Sequence, residues 1–267
     1  MIDVIKDTLF DSIKLLPFLF LAYLLMEYLE HKTGNKTKDI VKKSGKLGPL
    51  WGGIIGIFPQ CGFSAAAANL YAGKIITMGT LIAVFLSTSD EMLPILISEA
   101  APASLILKIL AIKLVVGIIA GFIIDLVINV IGKTKKVEPE EAVGHMCEHD
   151  HCDCEHGIFK SALKHTINIF IFITIITFAI NTLIHFIGEE TIEKAIAGVP
   201  VLGILVSSIF GLIPNCAGSV IITELYLSNL ISFGSMIAGL LVGSGIGILV
   251  LFKSNKNIKE NLTITGL

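Results

Sequence analysis

The chain has 267 residues, of which 54% are hydrophobic and only 16% are charged, and its formal net charge is −2. Its mean hydropathy is +0.83. Soluble domains carry about 25% charged residues, so this composition excludes the ordinary soluble classes and indicates a helical membrane protein. The near-neutral balance of charge also argues against a nucleic-acid-binding protein.

Apolar stretches long enough to cross a bilayer follow one another along the chain. We expect no cleavable signal peptide before the first of them. In chain order the predicted apolar segments are 13–28, 47–72, 75–97, 104–131, 167–187, 201–227 and 230–252. They group into a first transmembrane repeat with an extra span at 1–131, a cytoplasmic His/Cys-rich linker at 132–160, a second transmembrane repeat at 161–253 and a cytoplasmic tail at 254–267.

Two of these segments contain the same motif. The first reads Gly56-Ile-Phe-Pro59-Gln60-Cys61-Gly62-Phe63-Ser64, and the second reads Gly211-Leu-Ile-Pro214-Asn215-Cys216-Ala217-Gly218-Ser219. Pro59 and Pro214 are 155 residues apart, and the same spacing aligns further glycines and serines. A match of this length without a gap indicates an internal duplication, which is a common plan among membrane transporters.

Proline and glycine interrupt each motif segment near its middle, so each segment is either a broken crossing helix or a hairpin that enters and leaves on one side. If both are hairpins, the lysine clusters at 32–46, 133–136 and 253–259 all face the cytoplasm, as the positive-inside rule requires. If both cross the membrane, two of these clusters lie on opposite sides. The hairpin interpretation is therefore favoured. Three crossings then separate the two copies. We expect an all-α fold of two inverted repeats with six full spans and two helical hairpins, of which the segments above account for five spans and both hairpins.

The first motif, together with the residues after it, resembles one bacterial family. The similar stretches are Phe58-Pro-Gln-Cys-Gly-Phe-Ser64, Ser87-Thr-Ser-Asp-Glu-Met-Leu-Pro94 and, in the second half, Ile213-Pro-Asn-Cys-Ala-Gly-Ser219. The family is the ten-transmembrane heavy-metal exporter, or arsenical permease-like, family, and some members carry the label manganese transporter. The resemblance covers most of the chain and implies export of a toxic metal or metalloid. Six spans and two hairpins amount to ten helical pieces only when the hairpin arms are counted separately.

Each motif tip offers a thiol, a carboxamide and a hydroxyl, which makes both tips candidates for binding a substrate. The candidate residues are Gln60, Cys61, Ser64, Asn215, Cys216 and Ser219. Thiolates prefer soft ions such as Zn²⁺, Cu⁺ or trivalent arsenic, whereas Mn²⁺ prefers oxygen and nitrogen ligands. Two other interpretations stay open. Proline and glycine simply break a helix beside a small buried cysteine, or the helix that starts at each tip attracts an anion such as phosphate or arsenate.

A pair of adjacent acids lies in the break of the segment that follows the first motif. Ser89, Asp90 and Glu91 are the remaining candidate substrate-binding residues, because two carboxylates at membrane depth suit a divalent cation or exchanged protons. The alternative is that both acids lie hydrated at the membrane interface. Gly245 and Ile246 take their places in the second copy, so this part of the site is predicted to be asymmetric.

Two further charges lie within the long apolar span 104–131. Lys113 and Asp125 are about 18 Å apart along one helix, which is too far for them to pair directly. Lys113 therefore either faces a cavity or extends its ammonium to the membrane interface.

The linker contains the densest cluster of metal-ligating side chains. Seven thiol and imidazole groups occur there, at His145, Cys147, His149, His151, Cys152, Cys154 and His156. Such tracts bind transition-metal ions, and the irregular spacing suits a flexible chelating loop better than a closed zinc finger. A reducing cytoplasm keeps the thiols free of disulfides. We expect a metal ion at this loop and no tightly bound cofactor, and both delivery and sensing of metal stay open as its role.

These features favour a secondary transporter of the inner or plasma membrane that exports a transition metal, heavy metal or metalloid, with Mn, Zn, Cu, Cd and As species as candidates. The alternative is a transporter of phosphate, arsenate or an organic anion that carries a metal-sensing loop. The sequence contains no nucleotide-binding motif and no catalytic triad, so neither an enzyme nor a single-chain pump is expected. The expected partners are the transported ion and the lipid bilayer, and a homo-oligomer is compatible with the sequence.

Overall fold

The computed structural model describes residues 47–58, 61–89, 92–131, 158–187, 203–214 and 217–267, together with seven helical residues from Ile13 to Leu24. Besides those seven residues, the described part of the chain contains eleven helices and no strand. The helices are α1 (Gly48–Gly56), α2 (Cys61–Ala72), α3 (Met78–Ser87), α4 (Met92–Ser98), α5 (Ala103–Ile131), α6 (Ile158–Ile187), α7 (Gly203–Gly211), α8 (Ala217–Leu227), α9 (Phe233–Val242), α10 (Gly247–Ser254) and α11 (Ile258–Gly266).

Three of the described segments are long and apolar enough to cross a membrane, namely Met78–Ser98, Ala103–Val130 and Phe233–Ser254. Shorter apolar helices occur at Ala162–Ile176 and Gly218–Leu227. The first and third of the long segments are each divided into two helices, α3 with α4 and α9 with α10. The prediction of an all-helical membrane protein is therefore confirmed, whereas the inverted orientation of the repeats and the hairpins stay predictions.

The secondary structure repeats at the spacing found in the sequence. Helices α1, α3 and α4 begin 155 residues before α7, α9 and α10, respectively. The turns before α3 and α9 also match, since Lys74 and Asn229 both have a positive φ, of 57° and 59°. Thr77 and Ser232 then cap α3 and α9 in the same way, each hydroxyl accepting from the amide three residues later at 3.1 Å. The duplication is thus visible in the backbone.

Small residues bring the first and third helices of each half together. A Cβ atom at Gly52 would lie 2.8 Å from the backbone oxygen of Thr80, and one at Gly211 would lie 2.2 Å from that of Gly239. Such close backbone approach is typical of membrane helices, because lipid provides no hydrophobic force to drive them together. Helix α1 therefore packs on α3, and α7 packs on α9.

The two halves exchange contacts in a symmetric way. Helix α2 of the first half packs on α10 of the second, α8 of the second packs on α4 of the first, and the equivalent helices α3 and α9 touch each other. Contacts that recur with the partners exchanged define an isologous, two-fold-like interface. Each buried core accordingly combines side chains of both halves, such as Phe85 with Leu251 in one core and Met92 with Leu225 in the other.

Helix α5 packs against the first half more extensively than against the second. It packs along α1 and α3 and makes a smaller contact with α9. A Cβ atom at Gly79 would lie 2.1 Å from the backbone oxygen of Gly121 on α5, whereas one at the equivalent Gly234 would meet only Ser232 Oγ of its own turn, at 3.8 Å. Among the described residues, α5 therefore covers Gly79 at the start of α3 and does not cover Gly234 at the start of α9.

The chain closes with a helix, α11, within the stretch expected to be a polar tail. Asn255 and Asn261 form a reciprocal pair of hydrogen bonds, both 2.8 Å, that joins α11 to the end of α10. Ile264 of α11 is buried in the same core as Leu251. Helix α6 likewise begins at Ile158, inside the stretch assigned to the linker. The side of the membrane on which these segments lie stays a prediction.

Candidate functional site

The structure describes four of the nine candidate substrate-binding residues. Ser64, Ser89 and Ser219 are described with their side chains, and Cys61 begins α2, although its side chain lies outside the described part. The other candidates lie outside the described residues and stay predictions: Gln60, Asp90, Glu91, Asn215 and Cys216 at the breaks, and His145, Cys147, His149, His151, Cys152, Cys154 and His156 in the linker.

Two of the described serines meet in a small cavity between the halves. Ser89 follows the end of α3 in the first half, and Ser219 lies in the first turn of α8 in the second. The cavity has room for about one water molecule. Its lining is completed by Thr88, Lys113, Gly211, Gly239, Leu240, Gly243 and Gly245. Because four of these residues are glycines, backbone atoms form much of the wall.

Ser64 does not join the other two serines. It is fully buried where α2 meets α10, since a Cβ atom at Gly247 would lie 2.9 Å from the Cβ of Ser64. Its counterpart Ser219 is half-buried and lines the cavity. The structure therefore gives different surroundings to two residues that the motif made equivalent, and it brings together Ser219 and Ser89 instead.

Hydroxyl groups hold the break at the end of α3. Ser87 and Thr88 each donate to the backbone oxygen one turn earlier, at 2.7 Å. Ser89 donates to the oxygen of Ile57, at the end of α1, at 2.6 Å. Thr88 and Ser89 use their hydroxyl protons in these bonds. Their hydroxyl oxygens therefore face the cavity as acceptors, which suit a cation or a donor group of a substrate.

Lys113 projects from α5 into the same cavity. Its side chain is only 1% exposed, and its ammonium donates to the backbone oxygen of Leu240 in the last turn of α9. The last turn of a helix has carbonyls without internal donors and carries partial negative charge, so a cation is favoured there. Of the two orientations that stayed open for this lysine, the structure has the one that faces the cavity.

Asp125, the other charge on α5, has a separate structural role. Its carboxylate accepts a hydrogen bond from the hydroxyl of Thr77 at 2.7 Å and one from the amide of Gly79 at 2.8 Å. These groups form the start of α3, where free amides and the helix dipole favour a carboxylate. Asp125 therefore fastens α5 to α3 and does not line the cavity.

A polar cluster joins the two halves where α2 ends. Glu260 of α11 accepts hydrogen bonds from Tyr71 and, at 3.1 Å, from Lys74. Nearby, Ser254 donates to Asn69 at 2.7 Å. Burial raises the pKa of Glu260, but the hydrogen bond from Tyr71 and the charge of Lys74 outweigh it, so the pKa lies below its ordinary value. The carboxylate is therefore the favoured form in this cluster.

The described residues contain no group of three or more His, Cys, Asp or Glu side chains that could hold a metal ion. The predicted metal-binding loop lies beyond them, as do Asp90 and Glu91. The described lining of the cavity thus provides oxygen acceptors and an ammonium group. Any thiolate or carboxylate ligand has to come from the rest of the chain.

A family model matches the chain over residues 1–177 and 157–264, which together cover nearly its whole length. The family is described as "Putative, 10TM heavy-metal exporter". No curated protein and no solved structure matches the chain. The family match agrees with the resemblance in the two motifs and with the apolar helices. The chain therefore belongs to this ten-transmembrane heavy-metal exporter family.

Proposed function

We propose that the protein is a secondary transporter that exports a transition-metal ion, a heavy-metal ion or a metalloid through the cavity between its halves. The observation that carries the proposal is that Ser89 and Ser219, one from each half, line one cavity at the ends of broken helices. Irregular backbone at membrane depth is tolerated only where it is buried in protein or lines a pathway, and many transporters bind their substrates there. Family membership supports the same function.

We further propose that the halves are inverted repeats whose motif segments are re-entrant hairpins. The exchanged contacts, α2 with α10 and α8 with α4, support a two-fold relation between the halves. With the axis in the membrane plane, one hairpin enters from the cytoplasm and the other from outside. Rocking of one half against the other then opens the cavity to each side in turn.

The candidate ligands beyond the described residues complete the site in this proposal. Asp90 and Glu91 directly follow Ser89, and Cys216 lies three residues before Ser219. Carboxylate and hydroxyl oxygens suit Mn²⁺, whereas the thiolates of Cys61 and Cys216 suit Zn²⁺, Cu⁺, Cd²⁺ or As(III). Which of these sets carries the ion decides the substrate.

The remaining parts of the proposal concern supply and energy. The Cys/His tract at 145–156 captures or senses the ion on the cytoplasmic side before export. An ion or proton gradient across the inner or plasma membrane drives the transport, because the chain carries no nucleotide-binding motif.

A second candidate function is transport of an anion such as phosphate or arsenate, and Lys113 is the observation that favours it. An ammonium group in a buried cavity attracts an anion strongly because the surroundings have a low dielectric constant. The hydroxyls of Thr88 and Ser89 favour a cation instead, because their protons are donated to the backbone. The family description adds weight to the metal, which we therefore place first.

Flux into proteoliposomes tests these two functions against each other. The purified chain is supplied in turn with Mn²⁺, Zn²⁺, Cu⁺, Cd²⁺, arsenite and phosphate on one side. We expect flux of a metal or metalloid, and we expect the Cys61→Ser, Cys216→Ser double variant to lose it because both soft ligands are removed. Ser208→Ala is the matched control, since Ser208 lies on α7 outside the cavity and should not affect transport.

Three outcomes would contradict parts of the proposal. Phosphate or arsenate flux without metal flux makes the protein an anion transporter. Normal flux in the double cysteine variant would contradict the proposal that the motif tips bind the transported ion. Deletion of 144–156 should change only apparent affinity or regulation, so complete loss of transport would contradict the role given to the loop.

A further inference from the structure

The end of α9 lacks the donors that complete the end of α3. A helix ends with carbonyl oxygens that have no donor within the helix, and burying such a group without a partner is costly. In the last turn of α3, the hydroxyls of Ser87 and Thr88 add donors to the backbone oxygens of Ala83 and Val84. The equivalent residues of α9 are Val242 and Gly243, which carry no hydroxyl. These two positions therefore provide no side-chain donor for the last turn of α9.

Lys113 is such a donor. Its ammonium donates to the backbone oxygen of Leu240, within the last turn of α9. Helix α5, which carries the lysine, packs mainly on α1 and α3 of the first half, so this hydrogen bond crosses from one half to the other. Lys113 and Leu240 both line the cavity, next to Gly239 and Gly243.

The burial of this ammonium needs a compensating interaction. A charge at membrane depth is unfavourable unless hydrogen bonds and opposite charge replace the lost water. The end of α9 offers both, because it combines a carbonyl acceptor with the negative end of the helix dipole. An apolar residue at position 113 would fill the same space and would leave Leu240 without this donor. The lysine thus matches a requirement of α9.

We propose that Lys113 is a positioning residue of the cavity, whose ammonium caps α9 and holds the glycine-rich wall in place opposite Ser89 and Ser219. The positioning role rests on the proposed function, because it takes the cavity as the place where the substrate binds. The cap itself does not depend on a substrate. It can therefore be tested separately.

Three variants separate the cap from the charge. Lys113→Met removes the donor and keeps an apolar chain of similar length, whereas Lys113→Arg keeps a cationic donor. Lys113→Met combined with Gly243→Ser supplies a hydroxyl three residues after Leu240, the spacing at which Ser87 donates to Val84 in α3. Gly243 tolerates a side chain, because its φ of −69° and ψ of 100° suit any residue and a Cβ atom there would make only ordinary contacts, the nearest at 3.5 Å from the oxygen of Gly239.

Lys108→Met provides the matched control. Lys108 lies on the same helix but is exposed, with its ammonium 4.6 Å from the ring centre of Phe233. It does not line the cavity. Lys108→Met therefore removes a positive charge from α5 without removing the cap, and it shows what the loss of charge alone does.

The cap is tested by hydrogen exchange and mass spectrometry, which measure how fast the amides at the end of α9 exchange. The full chain is used in detergent, without any substrate. We expect the amides of residues 241–247 to exchange about tenfold faster in Lys113→Met, and to return towards the wild-type rate in Lys113→Arg and in the double variant. Transport flux in proteoliposomes then tests whether the cap positions the cavity wall for the substrate. We expect KM for the ion found in the proteoliposome panel to rise about tenfold in Lys113→Met and to recover with Gly243→Ser, while Lys108→Met changes neither quantity.

Every other outcome contradicts either the cap or the positioning role of Lys113. Unchanged exchange in Lys113→Met overturns the cap, and faster exchange with unchanged KM overturns the positioning. Recovery of exchange without recovery of KM in the double variant means that the ammonium itself serves the substrate, which also overturns the positioning. If Lys113→Met does not fold, recovery of folded protein by Gly243→Ser supports the cap and lack of recovery overturns it. A wild type that carries no metal contradicts the proposed function alone, because the exchange result stands without it.

Discussion

Helices α3 and α9 occupy equivalent places in the two halves, yet different side chains complete their ends. Both begin with a hydroxyl cap, but α3 also receives the carboxylate of Asp125 from α5. At the other end, α3 uses hydroxyls of its own, whereas α9 receives the ammonium of Lys113 from α5. One long helix thus serves both, at the start of α3 and at the end of α9. The backbone plan is duplicated, and the charges that support it are not.

This difference matters for the cavity, because its wall comes from both helix ends. The first half contributes the hydroxyls of Thr88 and Ser89 and the ammonium of Lys113, and the second contributes the hydroxyl of Ser219 and the backbone of four glycines. The wall of the cavity is therefore formed largely by polar side chains in the first half and largely by backbone in the second.

The largest expected effect tests the finding that α5 covers Gly79 at the start of α3 but not Gly234 at the start of α9. Gly79→Ala places a Cβ atom 2.1 Å from the backbone oxygen of Gly121, so α5 has to move away from α3. We expect a loss of about 3 kcal/mol in the free energy of unfolding, or no folded protein. Gly234→Ala meets open space and gains helix propensity, so we expect no loss and a gain below about 1 kcal/mol. Unfolding in mixed detergent micelles measures both, and an equal loss in the two variants would contradict the unequal cover.

The next effect concerns the carboxylate of Asp125, which among the described residues binds the start of α3 and not that of α9. Asp125→Asn keeps one acceptor oxygen and replaces the other with an amide that cannot accept from Thr77, so we expect a loss of about 2 kcal/mol. Hydrogen exchange should become faster in the first turn of α3 and stay unchanged in that of α9. Asn129→Ala, exposed on the same helix, is the control. Equal changes in α3 and α9 would contradict a local role for Asp125.

A smaller effect is expected at the end of α3, because its carbonyls share several donors. In Ser87→Ala the oxygen of Val84 keeps the amide and hydroxyl of Thr88, at 3.0 and 2.7 Å. We therefore expect a loss of only about 1 kcal/mol in the free energy of unfolding. Exchange of the amides in 84–89 should rise less than exchange at the end of α9 does in Lys113→Met. A larger rise in Ser87→Ala would reverse the contrast between the two ends.

The last effect depends on pH and concerns the polar cluster of Glu260, Tyr71 and Lys74, where α2 ends. The pKa of Glu260 is lowered in the folded protein, so its contribution is present above the pKa of an unfolded glutamate, about 4.3, and is lost as the pH falls through the folded-state value. Glu260→Gln should cost about 1 kcal/mol at pH 7 and close to nothing in strong acid. Thermal unfolding at the two pH values measures this. A gap between wild type and variant that persists in acid would contradict the ion pair with Lys74.

Much of the fold follows from local sequence features. Turn glycines, caps and prolines act within a few residues, so the spacing between Pro59 and Pro214 correctly implied that helices would begin at equal offsets. The membrane class followed from composition alone, and the family followed from the motifs. Helix α11 was not expected, because its polar surface resembles that of a loop and only Asn261 and Ile264 are buried.

The site was less accessible to sequence reasoning, because it depends on which helices meet. Ser64 and Ser219 have identical places in the motif, but α10 packs against the first and the cavity opens at the second. Lys113 was visible as a charge in an apolar span, which is a known signal for function. Its direction could not be derived, since α5 is apolar around most of its circumference and periodicity therefore gives no preferred face.

The exchanged packing has a consequence for how the protein is made. While the ribosome is still producing the linker, α2 has already left it, but its packing partner α10 has not been synthesised. We therefore expect the first half to enter the bilayer before α2 and α4 have their partners α10 and α8. Because each described core combines side chains of both halves, co-expressed fragments should become protease-resistant only when both are present.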